Sequence, residues 1–203
     1  RCDMVFIDNS FSNFHGFIST ISWRGVNYVH MADNSFENCG GSIDLSCQSL
    51  VGAPFNPGTV VLFDNNRIRN SVDMRIILTK GELSWFARNH ISQDVLVAGG
   101  NNDISILWCG TTHFYNNRIE GIAGFRFLAS PQDLLMANNC IRGIRNPVPR
   151  ELLNISRHPS SPMQNFQIRN NIFINNQISS MYLNAWSAAV EVQFNDIRSS
   201  GLS

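Results

Sequence analysis

Residues 61–70 read VLFDNNRIRN, and the second asparagine of the pair, Asn66, stands in a fixed apolar frame. Apolar residues lie five and three positions before it, at Val61 and Phe63, and a third lies two positions after it, at Ile68. Around seven other asparagines the positions three before and two after are also apolar, and the position five before is apolar in five of those seven. An internal repeat decides the architecture of a chain and is therefore the first feature to establish. The eight asparagines are Asn9, Asn34, Asn66, Asn89, Asn117, Asn139, Asn171 and Asn195.

The repeat predicts two short strands that meet at a corner. Apolar residues alternate with other residues before the asparagine and return after it, which is the period of a strand. Successive asparagines are 22 to 32 residues apart, which predicts a coil near 22 residues long with loops of variable length. Because asparagine tolerates the left-handed backbone conformation, we place it at the corner itself. Stacked in this way, the amides are expected to hydrogen-bond from coil to coil.

A third strand is predicted after each corner. Proline cannot donate to a central strand ladder, and the seven prolines all fall between a predicted third strand and the next repeat, or at the edge of that gap. The expected fold is therefore all-β, a solenoid of about eight coils with three short parallel strands each and an internal asparagine ladder. The predicted third strands are residues 16–23, 41–47, 73–79, 94–100, 124–130, 151–156 and 180–186.

These residues resemble the right-handed parallel β-helix of the pectin-lyase-like superfamily, whose coils carry an asparagine ladder at a corner. The resemblance covers essentially the whole chain. The leucine-rich repeat is the competing solenoid, since its phrase has the same spacing. Leucine accounts for only 14 of the 203 residues, however, and the position eight residues before the asparagine is not leucine in any of the last seven repeats. Both features favour the β-helix.

Composition limits the possible classes of function. Hydrophobic residues make up 43% of the chain and charged residues 15%, which indicates a folded domain, predicted as a single one over residues 1–203. The formal net charge is zero, and no apolar stretch approaches the length of a membrane helix. We therefore expect no nucleic-acid partner and no membrane span in this segment. Inserted loops are predicted at about residues 46–58 and 143–162.

The context of the chain is also an expectation. We expect a segment of a longer extracellular or cell-surface protein, which meets its parent chain or another protein through its coil ends and outer face. Two cysteines, Cys39 and Cys47, are close enough in sequence for a disulfide, although two buried or free thiols are the favoured interpretation.

The resemblance implies a place for catalysis, on the outward side of the third strands or in the loops beside them. The residues there that could act are Asp44, Asp73, Asp94, Arg75 and Arg126. A lyase would use a base together with calcium held by clustered acids, and a hydrolase would use two carboxylates. No catalytic phrase typical of the superfamily is present. Alternating charge on neighbouring strands is also what a solvated face carries.

An outward stripe favours binding instead. The position four residues before each ladder asparagine is apolar or aromatic in half of the repeats, which suggests cover by a loop, another chain or a ligand. Candidate ligand-binding residues are Trp85, His113 and Tyr182. We expect a non-enzymatic scaffold or adhesin-like segment that contacts proteins or glycans, with no metal site and no cofactor. The alternative is a carbohydrate-active enzyme, and calcium enters only in its lyase form.

Overall fold

A computed structural model describes residues 3–14, 21–47, 56–71, 74–93, 102–122, 125–144, 153–156, 165–174, 176, 181–184 and 189–198. The strands in chain order are β1 (Asp3–Ile7), β2 (Ser10–Ser12), β3 (Ile21–Val26), β4 (Tyr28–Ala32), β5 (Ser35–Glu37), β6 (Ser42–Cys47), β7 (Asn56–Asp64), β8 (Arg67–Arg69), β9 (Arg75–Thr79), β10 (Gly81–Ala87), β11 (His90–Ser92), β12 (Asn102–Tyr115), β13 (Arg118–Glu120), β14 (Phe125–Ala137), β15 (Cys140–Arg142), β16 (Leu153–Ser156), β17 (Asn165–Arg169), β18 (Ile172–Ile174), β19 (Met181–Asn184), β20 (Ala189–Gln193) and β21 (Asp196–Arg198).

Three faces run along this solenoid, and each is built from parallel strands of successive coils. The first face contains the strands before the ladder asparagines, in the order β1-β4-β7-β10-β12-β14-β17-β20. The second face is the eight-stranded sheet of three-residue strands, β2-β5-β8-β11-β13-β15-β18-β21. The third face contains β3, β6, β9, the first halves of β12 and β14, β16 and β19. Because β12 and β14 bend through a corner, they belong to both the first and the third face.

The corner between the first and second faces is a single residue in the left-handed conformation. The residue immediately before each ladder asparagine has φ between 51° and 59°, and these residues are Asp8, Asp33, Asn65, Arg88, Asn116, Asn138, Asn170 and Phe194. The expectation that the ladder asparagine itself adopts this conformation is therefore wrong. In the Asn65–Asn66 pair the first residue makes the turn and the second supplies the ladder amide. A second left-handed corner follows β13 and β15 at Gly121 and Gly143, where the absence of a Cβ removes the steric cost.

The eight ladder asparagines are joined by continuous hydrogen bonds. Each Nδ2 donates to Oδ1 of the asparagine in the next coil at 2.8–3.2 Å, and the backbone N–H of the same residue donates to that oxygen at 2.9–3.0 Å. From Asn34 onward, Nδ2 also donates to a backbone carbonyl of the preceding coil at 2.8–3.0 Å. The interior amides are thus fully satisfied, which is what burial of polar groups demands.

The core consists of stacked columns of identical repeat positions. Three residues before the ladder asparagine, Phe63, Phe86 and Phe114 stack with centroid separations of 5.0 and 5.2 Å. Two residues after it, Phe11 and Phe36 stack at 4.9 Å. Parallel in-register strands place the same position of each coil one strand spacing apart, so the repeat in the sequence becomes a column of contacts.

Two hydroxyls interrupt one core column. Ser84 and Thr112 are fully buried at the position five residues before the asparagine, where six other repeats carry apolar residues. Within the described part of the chain, the Thr112 hydroxyl has no hydrogen-bond partner. Burial of an unpaired hydroxyl is unfavourable.

We expect Thr112→Val to raise the free energy of unfolding by about 1 kcal/mol, because valine keeps the branched shape and removes the unpaired hydroxyl. Urea denaturation measures the change. The matched control is Thr111→Val, since Thr111 is the half-buried neighbour on the outward side of the same strand. A lower stability for the Thr112 variant would show that its hydroxyl is paired.

The predicted third strands agree with β6, β9, the start of β14, β16 and β19. Of the strand predicted at residues 16–23, residues 21–23 belong to β3, and residues 16–20 lie outside the described residues. Residues 94–100 lie outside the described residues, and the strand that pairs with β9 is the first half of β12, from Asp103 to Leu107. Pro131 lies within β14 rather than between strands. It is opposite Cys109, where the register shifts at a corner, so a missing N–H is tolerated there.

Candidate binding face

The outward side of the first face carries one continuous column of residues in register. Parallel pairing aligns the position four residues before each ladder asparagine across all eight strands. Neighbours along the strand point inward, because side chains alternate between the two sides of a sheet. The column reads Val5, His30, Leu62, Trp85, His113, Leu135, Gln167 and Glu191. All but Val5, which is exposed, are half-buried.

Three aromatic side chains meet near the middle of this column. The Trp85 indole lies 5.7 Å from the His113 ring and 5.7 Å from the Tyr115 ring, measured between centroids, with the Tyr115 ring edge-on. Tyr115 belongs to the next outward column of the same face. We call Trp85, His113 and Tyr115 the aromatic cluster. Edge-on and tilted rings are favourable arrangements, so the cluster holds its shape without a ligand.

The polar atoms of the aromatic cluster differ in their access to a ligand. Trp85 Nε1 is buried and has no acceptor within the described residues, so it is closed to a ligand on the outer surface. Burial lowers the pKa of His113, so its imidazole is neutral at neutral pH and can both donate and accept. The cluster therefore combines half-exposed ring surface with polar atoms at its edge.

Charged groups flank the aromatic cluster at the corner toward the second face. Arg88 forms a bidentate ion pair with Asp64 of the preceding coil, and this contact raises the pKa of Arg88. Arg88 has a φ of 55°, an uncommon conformation for a long side chain. At the opposite corner, Lys80 Nζ lies 5.7 Å from the ring of Trp108, and that ring is 42% exposed. Aromatic and cationic side chains thus extend across the first face of the two central coils.

Two of the residues considered for catalysis, Asp44 and Arg75, lie on neighbouring strands of the third face. Asp44 lies opposite Ile77 and Ser22, and its carboxylate accepts a hydrogen bond from Ser46 Oγ at 2.5 Å. Arg75 lies on the neighbouring strand of the next coil, opposite Ser42, so it is diagonal to Asp44 rather than directly opposite it. The buried pair Ile43 and Ile76 defines this register, in which Arg75 lies two residues before Ile77, the partner of Asp44.

Asp103 is a carboxylate that sequence reasoning missed. It is only 8% exposed, and it lies in register between Arg75 and Arg126 on the third face. The third strand of this coil was predicted at residues 94–100, so Asp103 was not assigned to a strand. The length of the loop before a third strand varies from coil to coil and cannot be read from the repeat. Asp44 and Asp103 are two strands apart, which is roughly 10 Å at one strand spacing per coil. They do not form a carboxylate pair with each other.

The other predicted site residues are incompletely described. Asp73 and Asp94 lie outside the described residues. Arg126 and Tyr182 are described as strand positions only, Tyr182 being opposite Asn154 in β16. Their roles in catalysis and binding therefore stay predictions.

Metal and thiol chemistry have little support among the described residues. No group of three or more histidine, cysteine, aspartate or glutamate side chains there could hold a metal ion. Cys39 and Cys47 are buried free thiols rather than a disulfide. Burial raises the pKa of Cys47 and that of Cys109 to about 11, so both thiols are protonated and unreactive at neutral pH. In the same part of the chain, no helix is long and apolar enough to cross a membrane.

Comparison with known families agrees with the three-faced architecture. The sequence model described as the right-handed beta helix region matches residues 19–197, which is most of the chain. The chain belongs to this family of right-handed β-helices. Comparisons with curated proteins and with solved structures found no match. Membership of the β-helix family establishes the fold and leaves the function to be argued from the surface of this β-helix.

Proposed function

We propose that this β-helix is a non-enzymatic binding scaffold of an extracellular or cell-surface protein, and that its first face binds a glycan chain through the aromatic cluster. The observation that supports the proposal is the half-exposed group formed by Trp85, His113 and Tyr115 on an outward column. Contiguous aromatic surface on a soluble fold marks an interaction site.

The chemistry of the cluster fits a saccharide. The faces of sugar rings carry C–H groups that pack against aromatic rings, and their hydroxyls need directional partners. The Trp85 ring supplies a broad apolar surface, and the His113 imidazole and the Tyr115 hydroxyl supply polar groups beside it. A β-helix adds a rigid platform, because each coil is held by its neighbours and by the ladder. An extended chain can contact several coils of such a platform at once.

We expect Trp85→Ala to weaken retention on a panel of immobilised neutral polysaccharides by about 30-fold, because truncating a central aromatic anchor typically costs about 2 kcal/mol or more. Leu135→Ala is the matched control, since it removes an aliphatic side chain from the same column two coils away from Trp85. Circular dichroism and thermal unfolding check that both variants keep the wild-type fold. Equal retention of wild type and the Trp85 variant, or no retention of any polysaccharide, would contradict the proposal.

The enzyme alternative is tested with the same panel. Wild-type protein is incubated with each polysaccharide and with polygalacturonate, with and without calcium, and products are followed by reducing ends and by ultraviolet absorbance. A non-enzymatic scaffold releases none. If wild-type protein releases products and Asp44→Asn or Asp103→Asn abolishes their release, the protein is a carbohydrate-active enzyme with its active site on the third face, and the scaffold proposal is wrong.

A further inference from the structure

The outward side of the second face contains a row of three cationic side chains. Arg67, His90 and Arg118 occupy the same position of β8, β11 and β13 and are aligned strand to strand by parallel pairing. We call these three residues the cationic row. The side chain of His90 is 40% exposed and that of Arg118 is 57% exposed. The row lies on a different face from the aromatic cluster.

The neighbouring column of the same face provides an internal comparison. Two residues further along the strands, Glu37 lies opposite Arg69 and Glu120 lies opposite Arg142, and Ser92 separates the two pairs. Arg69 lies 3.8 Å from Glu37, and Arg142 lies 2.6 Å from Glu120. An ordinary solvated face is built in this way. The cationic row departs from that pattern, because Arg67 and Arg118 flank His90 with no acidic side chain in the column between them. When His90 is protonated, like charges lie directly opposite each other on adjacent strands, which is destabilising.

The repulsion within the cationic row is only partly compensated by the protein. Burial lowers the pKa of His90, and the adjacent Arg118 and Arg67 lower it further. Glu120 contacts Arg118 and Arg142 and lies 3.8 Å from His90, so one carboxylate serves two arginines and a histidine. Within the described part of the chain, Arg67 has no ion pair. An anion placed on the row would relieve the unpaired charge.

The geometry of the row favours a tetrahedral oxyanion. Adjacent strands are about 4.8 Å apart, so the two arginines start about 10 Å apart and can converge over the histidine between them. A sulfate ester has three terminal oxygens, one for each side chain of the row, whereas a carboxylate has two. Guanidinium groups form strong charge-assisted hydrogen bonds with such oxygens.

We propose that the cationic row of Arg67, His90 and Arg118 binds the sulfate groups of a polysaccharide that runs along the solenoid axis. A flat row that follows the axis fits a linear polymer. Three positions are too few for duplex nucleic acid, whose binding proteins commonly make about 6–10 phosphate contacts. The site does not depend on the aromatic cluster, so either proposal can fail alone.

Binding to immobilised dextran sulfate, polygalacturonate and neutral dextran tests the proposal. Wild-type protein is expected to be retained by dextran sulfate, and the double variant Arg67→Gln/Arg118→Gln is expected to bind at least about 10-fold more weakly. Arg198→Gln is the matched control because Arg198 lies on the same face and pairs with Asp196. Its affinity is expected to be unchanged. Failure of wild type to bind, equal binding by the double variant, or equally tight binding of polygalacturonate would overturn the assignment.

The pH dependence provides a second measurement. The charged groups that face His90 are Arg67 and Arg69 from β8, and Arg118 and Glu120 from β13. A bound sulfate favours the imidazolium form, and the pKa of His90 without a ligand lies below its ordinary value, so wild-type affinity should increase as the pH falls from about 7 to about 5. The increase should be smaller in His90→Gln. Identical pH profiles for the two proteins would show that His90 does not contact the bound sulfate.

Discussion

Replacing Asn117 with leucine is expected to lower the free energy of unfolding by about 1–3 kcal/mol for each polar group that loses its partner. Asn117 Oδ1 accepts from the backbone N–H and from Nδ2 of Asn89, and Asn117 Nδ2 donates to the Phe86 carbonyl. Leucine provides neither an acceptor nor a donor, so these groups are left in a core that water does not reach. Equilibrium urea denaturation followed by circular dichroism measures the loss.

The neighbouring residue provides the control for the Asn117 variant. Asn116 is exposed and has a φ of 56°, a conformation that glycine adopts without strain. Asn116→Gly should therefore change the free energy of unfolding by no more than about 0.5 kcal/mol. If Asn117→Leu were as stable as Asn116→Gly, the ladder would contribute little to the stability of the fold.

Replacing Phe86 with alanine is expected to lower the free energy of unfolding by about 3–5 kcal/mol, which is typical for removal of a buried aromatic ring. The Phe86 side chain is fully buried between Phe63 and Phe114 in the central stack. Parallel strands on both sides fix the backbone, so the core cannot collapse easily into the space left by the ring. The same denaturation experiment measures the effect.

The control for the Phe86 variant is another phenylalanine of the same chain. Phe194 is 83% exposed at the corner before the last ladder asparagine. Phe194→Ala should be close to neutral, and Phe86→Leu should lose less than Phe86→Ala because most of the volume is retained. A Phe86→Ala protein with wild-type stability would mean that the central coils rearrange to fill the space.

Much of the fold could be predicted because, in a solenoid, residues at the same position of successive repeats contact each other. The apolar positions around Asn66 predicted the inward columns, and the spacing of the asparagines predicted which residues stack. The position four residues before each asparagine was predicted to face outward, and it forms a single column in the structure. Local alternation fixes the side of the sheet on which a residue lies, so this information is present in the sequence alone.

The candidate sites depended on information that local patterns do not contain. The loops before the third strands vary in length, so the register of Asp44 against Ile77, and of Arg75 against Asp103, could not be read from spacing. The left-handed corner fell on the residue before the ladder asparagine, a shift of one position that alternation does not resolve.

By itself, the sequence determined a repetitive all-β chain, its buried columns and the asparagines that join its coils. Tertiary structure decided which residues of different coils became neighbours on the outer surface. On the third face it placed Asp44 opposite Ile77 and Arg75 opposite Asp103, and on the first face it brought the Tyr115 ring edge-on to Trp85. The physical reason is that inward positions are fixed by the free energy of burial, which every repeat shares. Outward positions acquire their neighbours only when the strands pair in a particular register.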